Sequence, residues 1–328
     1  MKKILAIVLS LILCAGMCVA FTSCDTNTGN EDGTDTSDTA ATAADFTVGI
    51  CQLMVHDSLD KATQGFIDAL TEELAKEGKT VEYDKQVAGS ADLCPTVINT
   101  LVAKEVDLIM ANATDALVAA ANGTSTIPVL GTSVTDYNDT FKNNIPANVS
   151  GTSDGVPFAE QAEMMIDTLG LVAGDKVGVI YCSNESNSLV QYEAVKELFE
   201  DKGVVVTPYT FSETTELQSL VTTAASECKA IYVPSDNTVA QNDSIVASIC
   251  TDKKVPVYTS YGGDACYASL AIDYYELGVE TGKMAAEILL GKKTPADIEI
   301  KTLTPSVEYN AELCSKLGIT VPEEDTAA

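Results

Sequence analysis

Two short stretches of the sequence share a pattern that could place polar side chains for chemistry. "LIMANATDAL", residues 108–117, and "IYVPSDNTVA", residues 231–240, are each an apolar run followed by small polar residues and an aspartate. Asp115 and Asp236 lie where a helix is predicted to begin. An aspartate there can cap the helix or bind a cation, and the backbone N–H groups can bind an anion. The pattern predicts two equivalent corners suited to a small charged molecule, with Asp115 favoured as a cap.

The remaining reactive residues do not form a catalytic frame. The single histidine is His56, arginine is absent, and no phosphate-binding loop, nucleophile elbow or paired-cysteine motif occurs. A zinc site needs several Cys or His ligands, so none is expected. We therefore predict a protein that is not an enzyme and that needs neither a metal nor a cofactor. The formal net charge of −29 also excludes a nucleic-acid partner, because such proteins need a basic surface.

The N-terminal residues have the pattern of an export signal. Two lysines precede an apolar stretch too short for a permanent membrane span, and "FTSC" ends it at Cys24. This resembles a bacterial lipoprotein box, so we predict a signal peptide over 1–23 and lipid on Cys24. The acidic segment 24–45 lacks large apolar residues and is predicted to be a flexible tether. Together they predict a protein anchored to the outer face of the cytoplasmic membrane.

From Phe46 onwards, strand-like and helix-like segments alternate, and the whole series then repeats. Unbroken apolar strands are typical of parallel sheets that are covered on both faces. We predict an α/β protein of two Rossmann-like lobes with parallel sheets joined by three crossovers. The predicted N-terminal lobe is 46–150 plus 274–302, and the C-terminal lobe is 151–273 plus 303–322. Ligands bind beyond the carboxyl ends of parallel strands, so a cleft between the lobes is expected.

A family resemblance rests on segments spread through the mature chain. "GFIDAL", "VDLIMANATDALVAAAN", "IPVLGTSVTD", "NVSGTSDGVP", "VGVIYCSNESNSL" and "AIDYYELG" resemble the tryptophan/tyrosine-type substrate-binding proteins of ABC importers. The resemblance implies a type I periplasmic-binding fold and lobes that close on a small solute, most often an aromatic amino acid. It also implies a lipid anchor. From the architecture and the anchor we expect an ABC permease as partner, and we expect the protein to be a monomer.

An amino-acid ligand needs partners for both of its charges, and no arginine is available for the carboxylate. Hydroxyls and helix N-termini are the alternative donors, and Asp236 is the first choice for the ammonium group. Asn187 and Asn237 can donate and accept at once, and Tyr261 could stack on the ligand. Asp273 is included, with a hinge or helix cap as the other interpretation. The full set of candidate ligand-binding residues is Gln52, His56, Thr114, Ser133, Thr135, Ser183, Glu185, Asn187, Ser188, Asp236, Asn237, Tyr261 and Asp273.

Two other functions stay open at this point. A ligand-sensing lipoprotein would have the same fold and report to a signalling receptor instead of a permease. A binding protein for a nucleoside or a sugar is the other alternative, although the absence of tryptophan makes a sugar less attractive.

Overall fold

Six parallel strands form the first sheet of the computed structural model, which describes residues 43–322. Their spatial order is β11-β5-β4-β3-β1-β2. The strands are β1 (Phe46–Gln52), β2 (Val81–Val87), β3 (Leu108–Asn112), β4 (Val129–Val134), β5 (Val149–Ser153) and β11 (Lys301–Thr302). The helices between β1 and β5 are α1 (Asp57–Lys76), α2 (Cys94–Ala103), α3 (Thr114–Gly123) and α4 (Tyr137–Thr140).

The second sheet repeats this arrangement in the order β12-β10-β9-β8-β6-β7, with only β12 antiparallel to its neighbour. Its strands are β6 (Lys176–Cys182), β7 (Val205–Phe211), β8 (Ala230–Val233), β9 (Val257–Thr259), β10 (Cys266–Ala271) and β12 (Ser306–Tyr309). The remaining helices are α5 (Phe158–Leu169), α6 (Ser186–Asp201), α7 (Thr214–Glu227), α8 (Asn237–Gln241), α9 (Asp243–Lys253), α10 (Tyr274–Leu289) and α11 (Ala311–Leu317).

The chain passes between the two lobes three times, after β5, after β10 and after β11. The predicted architecture of two parallel-sheet lobes joined by three crossovers is therefore confirmed. The lobe boundaries given above stay a prediction; β5 belongs to the first sheet as far as Ser153. The predicted signal peptide 1–23, Cys24 and nearly all of the tether 24–45 lie outside the described residues.

Helix α10 returns to the first lobe because two glycines let it approach α1 closely. A methyl group on Gly65 would lie 2.1 Å from the Tyr275 carbonyl oxygen, and one on Gly278 would lie 2.0 Å from the Ala62 carbonyl oxygen. Any larger residue would force the helices apart. This contact fixes the first residues of α10, which contribute to the cavity described below.

Burial explains why the apolar patterns form these elements. Every residue of β3 is buried, as expected for a parallel strand that is covered on both faces. The apolar stripe of α1 at Phe66, Leu70 and Leu74 packs on the first sheet with no exposed surface. The cysteines of the described chain are all buried free thiols, namely Cys51, Cys94, Cys182, Cys228, Cys250, Cys266 and Cys314.

Candidate functional site

A cavity lies between the lobes, where the carboxyl ends of both sets of strands converge. Its atom-free space is about 290 Å³, of which about 10 Å³ admits the centre of a water molecule. We call it the inner cavity. Its lining residues are His56, Leu59, Ser133, Thr135, Asp154, Asn187, Ser235, Asp236, Asn237, Ala240, Tyr261 and Tyr274. This is the position at which α/β sheets bind ligands.

Asp154 is a buried carboxylate in this lining, on the crossover that follows β5. It is 7% exposed. Thr135 Oγ1 donates to Asp154 Oδ1 at 3.3 Å, and Tyr274 OH donates to Asp154 Oδ2 at 2.9 Å. Burial raises the pKa of Asp154, and these two hydrogen bonds partly oppose that rise. A carboxylate has about four acceptor sites, so Asp154 can accept further donors.

Two other polar atoms of the lining are buried without a hydrogen-bond partner among the described residues. One is Ser133 Oγ, and the other is Asn187 Oδ1; each residue is 7% exposed. Ser133 has a φ of 55°, at a point where the register between β4 and β5 shifts. Such a bulge redirects a side chain. Asn187 Nδ2 donates to the Ser235 carbonyl oxygen at 2.6 Å, which leaves Oδ1 as an acceptor.

Asp236 is held by three donors of the protein itself. Its Oδ1 accepts from the backbone N–H of Val239 at 2.8 Å, which makes it the N-cap of α8. Its Oδ2 accepts from the N–H of Cys182 at 2.7 Å and from Ser188 Oγ at 2.8 Å. Burial, together with the charge of Glu185, raises the pKa of Asp236 well above its usual range. The geometry supports the cap, while the ammonium role of Asp236 stays a prediction.

Glu185 is not part of α8, but its carboxylate accepts hydrogen bonds from the first residues of that helix. Its Oε2 accepts from the N–H and Nδ2 of Asn237, both at 2.8 Å. Its Oε1 accepts from the N–H and Oγ1 of Thr238 at 2.8 and 2.7 Å. Together with Asp236, it uses the donors at the start of α8. These donors are therefore already engaged within the protein.

Two hydrogen bonds cross between the lobes beside the inner cavity. His56 Nε2 lies 3.2 Å from Asn237 Oδ1, and Gln191 Nε2 donates to Thr135 Oγ1 at 3.4 Å. Because Asn237 Nδ2 donates to Glu185, its Oδ1 must accept, and His56 Nε2 carries the proton. Burial lowers the pKa of His56, which favours the neutral ring.

The inner cavity brings together part of the predicted set: His56, Ser133, Thr135, Asn187, Asp236, Asn237 and Tyr261. Glu185 and Ser188 support this region from behind through Asn237 and Asp236. The other four candidates do not line it. Their roles as ligand-binding residues stay predictions.

Each of those four residues has a different environment. Gln52 is fully buried and bonded to Met54, Asp60 and Thr63 within its own lobe. Thr114 is buried at the start of α3. Ser183 is exposed and donates to the Phe211 carbonyl oxygen. Asp273 is exposed and caps α10.

Sequence reasoning missed Leu59, Asp154, Ser235, Ala240 and Tyr274 as lining residues. Asp154 follows the buried strand β5 as Asp236 follows β8, so the same signal was available. Tyr274 begins α10 directly after the helix cap Asp273, and this position brings its hydroxyl to Asp154.

Within the described residues, no group of three or more His, Cys, Asp or Glu side chains could hold a metal ion. Among the helices of residues 43–322, none is both long and apolar enough to cross a bilayer.

Comparisons with known proteins agree with this architecture. A family model for ABC transporter substrate binding proteins matches residues 47–327. A tyrosine-binding protein of Clostridioides difficile (strain R20291) is 32% identical over 310 residues, which cover 92% of this chain and 88% of the relative.

Solved structures show the same fold. An ABC domain from Streptococcus pneumonia in complex with L-Trp has a TM-score of 0.78 and 33% identity, over 85% of this chain and 96% of the other. A ligand-free, open substrate-binding protein with adhesive properties from Clostridium difficile has a TM-score of 0.64 and 30% identity, over 85% and 97%. An L-rhamnose-bound solute-binding protein from Clostridium phytofermentas, at 15% identity and a TM-score of 0.58 over 83% and 98%, shows the fold alone.

Proposed function

Because this chain belongs to the ABC transporter substrate-binding protein family, we propose that it captures an amino acid, preferentially an aromatic one, in the inner cavity. It would deliver this ligand to an ABC permease outside the cytoplasm. Membership confirms the resemblance deduced from the sequence motifs. The names of two relatives support the ligand class, since one is called tyrosine-binding and another was crystallised with L-Trp.

The observation that carries the proposal is the set of polar groups around the inner cavity. Asp154 is a buried carboxylate with spare acceptor sites, and Asn187 Oδ1 is a buried acceptor without a partner. Buried polar groups are normally hydrogen-bonded, so these atoms are poised for a ligand. An ammonium group has three donors and can bond to both. It would also offset the cost of burying the Asp154 charge.

The ligand carboxylate would be bound by neutral donors. The described lining contains no lysine, and the chain has no arginine. Ser133 Oγ is an unpartnered hydroxyl in the same lining. Helix α6 begins at Ser186 without a side-chain cap, with Asn187 in its first turn. An uncapped helix N-terminus favours an anion, so we assign the carboxylate to Ser133 and the start of α6.

The side chain of the ligand would face the apolar part of the wall, which Leu59, Ala240 and Tyr261 form. Only about 10 Å³ of the cavity admits the centre of a water molecule. Entry of an amino acid therefore requires hinge opening of the lobes, which is typical of two-lobe binding proteins. The His56–Asn237 and Gln191–Thr135 hydrogen bonds would break on opening and re-form on closure.

Isothermal titration calorimetry with the twenty amino acids, nucleosides and sugars tests the proposal. We expect an aromatic L-amino acid to bind most tightly. Asp154→Asn should weaken it by at least about tenfold, because a hydrogen bond to a charged group contributes about 1.5–3 kcal/mol.

The matched control is Asp136→Asn. Asp136 is an exposed aspartate that caps α4 outside the cavity, and Asn caps as well as Asp. The Asp136→Asn variant should bind the amino acid as tightly as the wild type does. Unchanged binding by Asp154→Asn would remove the ammonium assignment. Binding of a nucleoside or sugar instead of any amino acid would overturn the ligand class.

The anchor is a separate part of the proposal. Cys24 in "FTSC" would carry the lipid, and the following acidic segment would tether the lobes to the outer face of the membrane. Mass spectrometry of the full-length protein expressed in a Gram-positive host tests it. A diacylglyceryl mass on the peptide that begins at Cys24 is expected, and an unmodified Cys24 would contradict lipid anchoring.

A further inference from the structure

A second cavity adjoins the inner cavity. Its atom-free space is about 820 Å³, of which about 310 Å³ admits the centre of a water molecule. We call it the outer cavity. Among their lining residues the two cavities share His56, Ala240 and Tyr261. Tyr261 has the largest side chain of the three. The shared residues form the partition between a confined space and a roomy one.

Two of the groups assigned to the charged end of the ligand are hydrogen-bonded to neighbours in the inner cavity. Asp154 accepts from Thr135 and Tyr274, and Asn187 donates to the Ser235 carbonyl oxygen. None of these five residues appears in the lining of the outer cavity. A ligand held at its charged end by these residues has Leu59 and the shared residues Ala240 and Tyr261 as the apolar wall for its side chain.

Tyr261 is held in place by its own contacts. Its hydroxyl donates to Asp243 Oδ1 at 3.2 Å, and Asp243 Oδ2 accepts from the Ala265 N–H at 3.0 Å. The loop between them turns at Gly262 and Gly263, which have φ values of 81° and 98°. A methyl group on Gly263 would lie 3.0 Å from the Asp243 carboxylate. Asp243 thus fixes the loop that carries Tyr261 through the Ala265 N–H, a contact that does not need the ring hydroxyl.

We propose that Tyr261 is a specificity-determining residue that limits the length of the ligand side chain, an inference that rests on the proposed amino-acid site. The ring ends the pocket, so a side chain with one ring system fits and a longer one collides with Tyr261. Without the ring, the inner and outer cavities become continuous, and the outer cavity accommodates the extension.

Calorimetry with two probes tests this role. One probe is the aromatic amino acid that binds the wild type most tightly, and the other is L-4-phenylphenylalanine, which adds a second ring in line with the first. The wild type should bind the longer probe at least about tenfold more weakly, a discrimination typical of a closed apolar pocket. Tyr261→Ala should reduce or reverse this ratio by at least about tenfold.

Tyr261→Phe is the matched control, because it keeps the ring and loses only the hydrogen bond to Asp243. It should discriminate as the wild type does. If Tyr261→Ala does not fold, as judged by circular dichroism, Tyr261→Leu replaces it, since leucine keeps apolar packing and frees the space of the outer ring edge.

The outcomes separate this inference from the proposed function. A normal affinity for the short probe with an unchanged ratio in the Ala or Leu variant overturns the role of Tyr261 alone. Equal loss of discrimination in Tyr261→Phe also overturns it, because the hydroxyl contact and not the ring would then decide. If no amino acid binds the wild type, the proposed function and the role of Tyr261 are both overturned.

Discussion

The two corners that repeat in the sequence differ sharply in how their aspartates are paired. In the second lobe, the turn from β8 to α8 places Asp236 against three donors and Glu185 against four. In the first lobe, the turn from β3 to α3 has Ala113 before the helix, with a φ of 95° and no side-chain cap. Asp115 Oδ2 is buried there without a partner among the described residues.

The difference shows that one sequence pattern can form a corner whose aspartate is fully hydrogen-bonded and another whose aspartate has an oxygen without a donor. Burial and the charge of Glu185 raise the pKa of Asp115 to about 6. The carboxylates of Asp115 and Glu185 line one cavity of about 460 Å³ between the lobes. The second-lobe corner is therefore expected to stabilise the fold, and the first-lobe corner to cost stability when Asp115 is ionised.

The largest effect on stability is expected for Glu185→Ala. The substitution leaves two backbone N–H groups and two side-chain donors of Asn237 and Thr238 without their acceptor. We expect the free energy of unfolding to fall by about 3 kcal/mol, measured by urea denaturation of the unliganded protein. Glu197→Ala, at an exposed site of α6, is the control and should change the free energy of unfolding by less than about 0.5 kcal/mol. Equal effects at both sites would show that the four hydrogen bonds contribute nothing.

A smaller effect is expected for Asp236→Ala. This variant loses the α8 cap and the acceptor for Cys182 and Ser188, so unfolding free energy should fall by about 2 kcal/mol. The exposed cap Asp273→Ala should cost less, because water can replace its acceptor. Urea denaturation without ligand compares the two variants. If Asp236→Ala is as stable as the wild type but no longer binds an amino acid, Asp236 is a ligand residue, as first predicted from the sequence.

The fold could be predicted from the sequence because it depends on apolar patterns that are local along the chain. Apolar runs such as β3 and the stripe of α1 determine which faces are buried, and their repetition implies two sheets with a shared cleft. His56 follows β1 in the chain, a position that the sequence pattern allows either at the cleft or on the surface, and in the structure it lines the inner cavity.

The pairing of individual side chains could not be predicted in the same way. The orientation of Ser133 depends on a register shift between β4 and β5, which no local pattern records. The second and third donors of Asp236 come from Cys182 and Ser188, about fifty positions earlier in the chain. Whether an aspartate at a helix start is free or saturated is therefore a tertiary property.

The smallest expected effect, with the opposite sign, belongs to Asp115→Asn. The ordinary pKa of an aspartate is 3.8, and in the folded protein that of Asp115 is about 6. Between these values the folded state holds a proton that the unfolded state has lost, so stability falls as pH rises through this window.

Asparagine does not titrate. The variant should therefore be more stable than the wild type by about 1 kcal/mol at pH 7.5, after allowing for partial exposure, and should lose most of this advantage below about pH 4. Guanidinium denaturation at both pH values measures the difference, and Asp92→Asn, at an exposed residue of the same cavity, is the control. A difference that does not change with pH would mean that burial and Glu185 do not raise the pKa of Asp115, and its ionisation would then cost the first-lobe corner no stability.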